Sequence, residues 1–369
     1  MSVVRFVRGG LSVAALLTLA WAPLPAAGEF FGLSVKILDE TAPPGGMAQM
    51  KFVITEPKPI STGRGGFMYD GGFDRFDGFA LTSPNDDAVG VARVLGHEIE
   101  LAIASPSATY GTTVDYPVLT IAGHVPVSSP LGSSFSFAVD PASFSFLDPA
   151  GARYPVELAP GRLTIGQTLS VDDVRPGSAD LPAGAVVQIF GTNFTPKTEI
   201  RFNEAKIRSQ RFINSTRIDV VLGSSARMHG MRVRAKDSRS DIEYYSYQRT
   251  TPDGESEDPA FVGVVPVFAR GSNAAATIDL AGDPAAIGLQ NLGANTATVN
   301  ADLLNADGSV LANATIDLGS NCYLVRSITE LFHVSYATGL TVRLSGSAPF
   351  QAMGIAVDAN GYASPIIAR

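Results

Sequence analysis

Residues 67–87, FMYDGGFDRFDGFALTSPNDD, hold five aromatic residues and five aspartates within 21 positions. Three interpretations are open: strands joined by turns, a calcium-binding loop, or an aromatic platform for sugar. Alternation places Phe67 and Tyr69 on one face of a strand, and residues 70–72, Asp-Gly-Gly, are a turn signal. A second strand carrying Phe79 follows. The pattern favours strands and turns, with the aromatic side chains in a core.

The calcium interpretation is weaker because the spacing of the carboxylates does not suit it. An EF-type loop needs alternate oxygen ligands, a glycine and a distal glutamate. Asp70, Asp74 and Asp77 are spaced by four and three residues, and no glutamate follows at the required distance. This spacing does not test the alternative of a calcium site assembled from several loops.

The sugar interpretation depends on exposed aromatic side chains, above all tryptophan, which stack on apolar sugar faces. The single tryptophan, Trp21, lies in the N-terminal segment. Tyr69, Tyr110 and Tyr116 lie where strand or turn roles explain them. Carbohydrate binding is therefore kept as the alternative function.

The composition of the whole chain predicts an all-β protein. It has 37 glycines, 24 prolines and only 17% charged residues, and short alternating apolar runs end at Gly, Pro, Asn or Asp. About 340 residues after the N-terminal segment exceed one ordinary core. We expect three consecutive β-sandwich domains, jelly-roll and immunoglobulin-like, after a signal peptide.

The N-terminus has the features of a secretory signal peptide. Arg5 and Arg8 precede a short apolar run, and the small residues 26–28 follow. The run is shorter than the roughly 20 residues of a membrane span. We expect cleavage near residue 28 and a mature chain without a membrane span that is secreted, periplasmic or at the cell surface. The single cysteine, Cys322, excludes an internal disulfide framework.

The first segment after the signal peptide, residues 29–167, resembles a cohesin-like sandwich, a jelly-roll fold related to carbohydrate-binding modules. An apolar strand, a Pro-Gly turn, a second strand and a late YPVLTIAGHV strand carry the likeness over about residues 31–167. The other matching positions are Phe67, Tyr69, Asp70, Phe76, Gly78, Phe79 and Leu81. The resemblance implies a binding module.

The second segment, residues 168–250, resembles an IPT/TIG domain, a small immunoglobulin-like sandwich. The matching positions are Val174, Pro176, Gly184, Val187, Ile189, Gly191, Asn193, Phe194, Thr198, Ile200, Phe202, Ser215, Thr216, Ile218 and Val220. Alternation of Val187 and Ile189 into a Gly-Thr-Asn turn agrees with that fold, and Phe194 is placed to fill the end of the sandwich. Leu222-Gly223 departs from the family, which often has a proline there.

An acidic linker, residues 251–258, is predicted to precede a C-terminal β-sandwich at 259–369. The last segment is similar to a C-terminal sandwich of exported bacterial multidomain proteins. Val299, Ala301 and Leu303 alternate before an Asp-Gly turn, as a hairpin requires.

Charge divides the chain unevenly. Residues 29–167 carry 8 Lys+Arg against 15 Asp+Glu, residues 168–250 carry 13 against 9, and residues 251–369 carry 4 against 11. We expect the first two domains to form a stiff unit because almost no linker joins them. The third domain is expected to move on a solvated linker.

No catalytic residue, metal ligand or cofactor site is predicted. His97-Glu98 lacks the second histidine of a zinc-protease helix, since position 101 is Leu101. The other histidines, His124, His229 and His333, are scattered, and Cys322 has no nearby histidine in sequence. No nucleophile elbow or phosphate loop is present.

The function that these observations favour is an exported, non-enzymatic adhesion or scaffold protein that binds an extracellular protein. The alternative is a carbohydrate-binding accessory to polysaccharide breakdown, with a polysaccharide as the partner. Nucleic acid is disfavoured. The basic residues of the middle segment alternate with apolar ones, as in residues 231–234, and no aromatic residues interleave for base stacking. The binding residues are not identified from the sequence.

Overall fold

The computed structural model of the chain consists almost entirely of β-strands, so the prediction of an all-β fold is confirmed. Within the described residues one short α-helix is present, α1 (Ile328–Phe332). The signal-peptide prediction lies outside the described part of the chain. The structure describes residues 32–55, 58–81, 88–105, 116–139, 143–177, 180–228, 230–246, 251–254, 256–269, 273–280, 284–293, 295–335 and 339–369.

The first segment forms two sheets that pack face to face. Its strands are β1 (Leu33–Ile37), β2 (Glu40–Ala42), β3 (Met47–Ile54), β4 (Thr62–Tyr69), β5 (Arg75–Leu81), β6 (Val89–Leu95), β7 (Glu98–Ala104), β8 (Tyr116–His124), β9 (Ser134–Val139), β10 (Ser145–Leu147), β11 (Val156–Ala159) and β12 (Gly161–Ile165). One sheet has the order β11-β1-β3-β8-β5, and the other contains β2-β12-β9-β4-β7-β6, with β10 pairing β4. Alternating apolar residues of both sheets meet in one core.

The stretch that begins at Phe67 folds as strands and a turn. Phe67 and Tyr69 are buried in β4, and their rings contact that of Phe137 at centroid distances of 6.2 and 6.0 Å. Gly71 and Gly72 have φ angles of +124° and +92°, which suit glycine in the turn. The turn expected at residues 83–86 lies outside the described residues.

The middle segment is a second sandwich. Its strands are β13 (Ser170–Arg175), β14 (Asp180–Leu181), β15 (Val186–Thr192), β16 (Glu199–Phe202), β17 (Ile207–Asn214), β18 (Arg217–Leu222), β19 (Ala226–Arg227), β20 (Arg232–Lys236) and β21 (Asp241–Tyr245). A sheet of order β13-β15-β18-β17 faces one of order β16-β20-β21, and β14 pairs β19. Val187, Ile189, Ile218 and Val220 point into the core, and Phe194 is buried with them.

The last segment contains β22 (Thr251–Pro252), a 3-10 turn (Pro259–Phe261), β23 (Val264–Phe268), β24 (Asn273–Asp279), β25 (Ala285–Asn291), β26 (Ala297–Leu304), β27 (Val310–Leu318), β28 (Cys322–Ser327), β29 (Thr341–Val357) and β30 (Ala363–Ile367). The strand order is β22-β28-β25-β29-β26-β27, and β24 and β30 also pair with β29. The long β29 serves both layers, because its first half pairs β24 and β26 and its second half pairs β25 and β30.

The expected acidic linker is folded against the last segment, so its description as a solvated linker is corrected. β22 pairs in parallel with β28. The carboxylate of Glu330 accepts hydrogen bonds from the Ser256 hydroxyl at 2.5 Å and from the backbone N–H groups of Glu257 and Asp258. Burial alone would raise the pKa of Glu330, but these bonds and one from Ser327 hold it below its ordinary value. The linker is therefore fixed by hydrogen bonds to one carboxylate.

The expectation of a mobile third domain is also wrong. β23 belongs to the sheet of the first sandwich, where it pairs antiparallel with β6 over five residues, Val264–Phe268 against Arg93–Val89. A separate apolar cluster joins the two segments. Its buried members are Val91, Phe261, Val264, Phe268, Ala286, Val325, Met353, Ile355 and Ala363.

Two arginines of the first segment make polar contacts across the same joint. Arg93 donates to the carbonyl oxygens of Val262 at 3.2 Å and Gly361 at 3.1 Å. Arg64 forms an ion pair with Asp358 at 2.9 Å. An apolar centre with bonded polar groups around it is typical of a permanent interface, so the segments are joined rather than tethered.

The first and middle segments are joined by a side chain that closes a sheet edge. Gln49 donates from Nε2 to the carbonyl of Tyr245 at 2.8 Å and accepts the Tyr245 N–H at 2.6 Å. Its amide thus pairs the backbone N–H and C=O of Tyr245, at the end of β21. Met47, Ala80 and Ala122 of the first segment pack into the middle core. Direct contact, without a linker, holds these segments together.

We predict that the Phe67→Ala variant loses about 3–5 kcal/mol of unfolding free energy, because the ring is 1% exposed in a packed core. Phe79→Ala is the matched control. Its ring is only partly buried on the edge strand β5, so the loss should be about 1–2 kcal/mol. Urea unfolding measures both values. Equal losses would contradict the assigned burial.

We also predict that small-angle scattering gives the same radius of gyration at about 0.05 and 0.5 M salt, since an apolar joint is not screened. Phe268→Asp places a charge in that joint and should expand the particle. Val127→Asp is the control, because Val127 is 83% exposed and the change should have no effect. Expansion of the parent chain with salt would contradict a fixed third segment.

Candidate interaction surface

The titratable residues singled out from the sequence do not assemble into a catalytic or metal site where they are described. His97 is exposed beside the Tyr69 ring. His124 Nδ1 lies 2.7 Å from Asp77, which also accepts from Arg75 at 3.0 Å. No cluster of three or more His, Cys, Asp or Glu suits a metal ion in the described part of the chain. His229 lies outside that part.

The remaining candidates also have local roles. Asp70 accepts the Ser136 N–H at 2.7 Å, which ties the turn to β9. Asp74 is exposed. Cys322 is half-buried, and its Sγ is 3.4 Å from the Ser320 carbonyl oxygen. His333 caps α1 in a left-handed conformation. The aspartates therefore do not converge as the calcium interpretation would require.

No aromatic side chain that the structure describes is fully exposed. The Tyr69 hydroxyl donates to the Gly96 carbonyl at 2.8 Å, and burial raises the pKa of this tyrosine. The Tyr154 hydroxyl donates to the Pro59 carbonyl at 3.0 Å. Tyr110 and the side chain of Tyr116 lie outside the described residues. A flat aromatic platform for sugar is therefore lacking in the described surface.

One polar face of the middle segment remains uncovered. It is the outer face of the β13-β15-β18-β17 sheet. The sequence did not predict this face, because which residues share it depends on the order of the strands. The strand register aligns Arg175, Gln188, Asp219 and Arg211 in one row across the four strands. The adjacent row holds Asp173, Phe190, Arg217 and Asn214. We call these eight residues the arginine face.

Phe190 is the apolar centre of the arginine face. The guanidinium carbons of Arg175 and Arg217 lie 4.8 and 5.8 Å from its ring centroid. Cation–π contacts of this kind hold arginine side chains over a ring. Arg175 is 2.6 Å from Asp173, and Arg217 makes two hydrogen bonds to Asp219 at 2.7 and 2.9 Å. Both guanidinium groups are thus fixed in position before any partner arrives.

Arg211 on this face, and Arg208 and Lys206 at its edge, differ from the paired arginines of the segment. All three are exposed, and none lies within ion-pair distance of a carboxylate among the described residues. β17 is the edge strand of the sheet, and its register shifts at two places leave Arg208 and Ile213 as bulged residues. Bulges and cations on an edge oppose addition of another strand, so this face offers side chains rather than backbone.

The cations of the opposite sheet are neutralised within the segment. Arg234 is 2.5 Å and Lys236 is 3.2 Å from Asp241, and Arg232 lies 3.7 Å from Glu243. The hydrogen bond from Arg234 lowers the pKa of Asp241 to about 2. On the arginine face and its edge, by contrast, Arg211, Arg208 and Lys206 are without a carboxylate partner among the described residues.

Within the described residues no helix is long and apolar enough to cross a membrane. No family model matches the chain, and no curated protein matches it. The chain is similar to many solved structures, and three of them match it over little more than a third of its length. At identities of 14–16%, that similarity concerns the fold alone.

The first of the three is a non-cellulosomal cohesin from the hyperthermophilic archaeon Archaeoglobus fulgidus, with 16% identity, 36% of this chain and 91% of that chain covered, and a TM-score of 0.32. The second is a type I cohesin–dockerin complex from Clostridium thermocellum, with 15% identity, 36% and 99% covered, and a TM-score of 0.31. The third is the seventh ScaB type I cohesin from Pseudobacteroides cellulosolvens, with 14% identity, 37% and 94% covered, and a TM-score of 0.30.

We predict that Asp241 titrates with a midpoint near pH 2, against an ordinary value of 3.8. The stabilisation from this ion pair is complete above the ordinary pKa and is lost as the pH falls through about 2, since the folded state holds the carboxyl ionised. Carbon-detected NMR of the carboxyl measures the midpoint. Arg234→Met should return it towards 3.8. A midpoint unchanged by that substitution would contradict the assigned cause.

Proposed function

We propose that the chain is an exported, non-enzymatic scaffold that binds an acidic segment of an extracellular protein at the arginine face. The observation that carries this proposal is a sheet face with pre-positioned guanidinium groups around Phe190 and unpaired cations at Arg208 and Arg211. Arginine presents planar pairs of donors that match carboxylates. Arginine and aromatic residues are also enriched where protein interfaces gain most of their affinity.

A local attraction is needed because the whole chain has a net charge of −8. Long-range electrostatics therefore repel an anion, whereas contacts within the Debye length of about 8 Å still favour it. We also propose that the chain has three units, residues 29–167, 168–250 and 259–369, with residues 251–258 between the last two. Likeness of the middle unit to IPT/TIG domains remains part of the proposal, as does export after cleavage near residue 28.

The second candidate function is binding of an acidic polysaccharide at the same face. It shares the carboxylate chemistry, so the arginine face itself does not separate the two partners. The protein partner is favoured because Phe190, the one aromatic ring of this face, already has the guanidinium groups of Arg175 and Arg217 over it, so no bare ring is left to stack on a sugar. Neutral polysaccharides are disfavoured for the same reason.

The test uses the mature chain with poly-L-glutamate, polygalacturonate and a DNA duplex as probes. We predict that poly-L-glutamate binds and that Arg208→Ala/Arg211→Ala raises its dissociation constant about three- to tenfold, as for two exposed charge contacts. Phe190→Ala should also weaken binding while leaving every charge in place. Isothermal titration at low and high salt measures each constant.

Lys36→Ala/Arg162→Ala is the matched control, because it removes the same charge from exposed positions of the first segment. Equal weakening by the control pair would mean unspecific attraction and would refute the site. Preference for polygalacturonate would replace the protein partner by the polysaccharide. Preference for the DNA duplex would overturn the exclusion of nucleic acid.

A further inference from the structure

The last segment has a free sheet edge that lacks the usual protection. β27 is the terminal strand of its sheet, and residues 312–318 pair with β26 in regular register. These seven residues contain no proline, lysine or arginine. Natural proteins guard exposed edges with such residues, with bulges or with a covering element. The single bulge of β27, at Leu311, lies before the regular part.

The other edges near the joints are protected. The Gln49 amide closes β21, and the Gln210 amide closes β16 by accepting the Ile200 N–H at 3.0 Å and donating to the Thr198 carbonyl. β6 is covered by β23. β27 differs from these edges. The Leu318 carbonyl accepts a hydrogen bond from the Asn291 amide at 3.0 Å, but no described side chain bonds to the backbone of residues 312–317, which is left for another strand.

A cleft of about 540 Å³ opens beside the C-terminal half of β27. Its floor is apolar and is formed by Ile316, Leu324 and Leu331. Ile316 and Leu324 are 7% and 5% exposed. The cleft lies between β27, β28, α1 and the residues Asp253 and Glu257. A side chain that projects from a strand added to β27 would find apolar surface there.

Carboxylates surround this floor. Asp253, Glu257, Asp317 and Glu330 line the cleft, against one arginine, Arg326. Asp253 and Glu330 also accept backbone hydrogen bonds that hold the cleft wall together. Glu257 and Asp317 are exposed, and neither lies within ion-pair distance of a cation among the described residues. A ligand can therefore reach these two carboxylates without breaking the fold.

We propose that β27 and this cleft bind an extended segment of a partner protein in which apolar residues alternate with lysine or arginine. The segment would add to the sheet as a strand, with main-chain hydrogen bonds to β27. Alternate side chains of a strand point to opposite faces, so its apolar residues would face the floor while its cations face Glu257 and Asp317. The partner at this site has the opposite charge to the one proposed for the arginine face, and the two proposals are independent.

A second copy of the chain is a poorer occupant. Pairing of β27 with β27 of another molecule would bring two acidic clefts together, and like charges at close range oppose association. The edge strand β17 of another molecule is bulged at Arg208 and Ile213, which disfavours regular pairing. An extended segment of alternating apolar and cationic residues does not repel the acidic cleft, and it carries no bulge that disturbs regular pairing.

The test uses the mature chain and a fluorescent ten-residue peptide of alternating valine and lysine. We predict binding that weakens with salt, as exposed charge pairs require. Glu257→Gln/Asp317→Asn should raise the dissociation constant about three- to tenfold. Asparagine at 317 can still accept the hydrogen bond that Thr298 donates to Asp317, so the variant keeps the local structure. Asp74→Asn/Glu157→Gln removes the same charge from exposed positions of the first segment and should change the constant less than twofold, because neither carboxylate lines the cleft.

Strand addition is tested separately from the charge contacts. The same peptide N-methylated at alternate residues keeps its charges but loses donors along one edge, and it should bind at least tenfold more weakly, as loss of several hydrogen bonds predicts. Bound peptide should slow hydrogen exchange at residues 312–318. Thr315→Lys should weaken binding, whereas Asn300→Lys, one strand inward in the same row, should not.

Equal binding of the methylated peptide would refute strand addition. Equal effects of the two carboxylate pairs would refute the cleft. Concentration-dependent protection of residues 312–318 without peptide, together with a doubled mass, would replace the partner by a second copy. None of these outcomes bears on binding of poly-L-glutamate at the arginine face, so the two proposals fail separately.

Discussion

Each edge of a β-sheet exposes backbone N–H and C=O groups that must be paired or left in water, and the way this chain closes its edges decides its architecture. Gln49 supplies an amide to β21, Gln210 supplies one to β16, and β23 covers β6. Two of these three closures come from a different segment of the chain. Closing an edge therefore also joins two segments, and the three sandwiches form one body.

The way in which the sheet edges are closed also determines which surfaces are left for partners. The first sandwich is occupied by its neighbours, because the middle core takes up Met47, Ala80 and Ala122 and the last segment extends its other sheet. The arginine face and the edge of β27 lie outside these joints. A surface held rigidly on a joined body loses less conformational freedom on binding than one on a flexible arm. A fixed presentation of two unlike surfaces is what a scaffold requires.

Local patterns in the sequence predicted the strands well, because alternation acts between near neighbours. Val187 and Ile189, or Val299, Ala301 and Leu303, are all completely buried as their spacing indicates. The joints were missed because they depend on contacts between distant residues. The sequence of residues 264–268 does not indicate that β23 pairs with β6. Likewise, Ser256 donates a hydrogen bond to Glu330, which lies 74 positions away in the chain. Phe79 is less buried than expected because β5 is an edge strand, which alternation alone does not reveal.

Segment charges did not indicate the joint with the last segment, because charges act through their nearest partners. Six of the nine described arginines of the basic middle segment pair with its own carboxylates, as Arg217 does with Asp219, so its net excess does not measure its attraction for a neighbour. The joint with the last segment is apolar instead. With screening beyond about 8 Å, a few unpaired groups such as Arg211 and Glu257 matter more than the totals. That short range lets one chain of net charge −8 carry a cationic and an anionic surface without either cancelling the other.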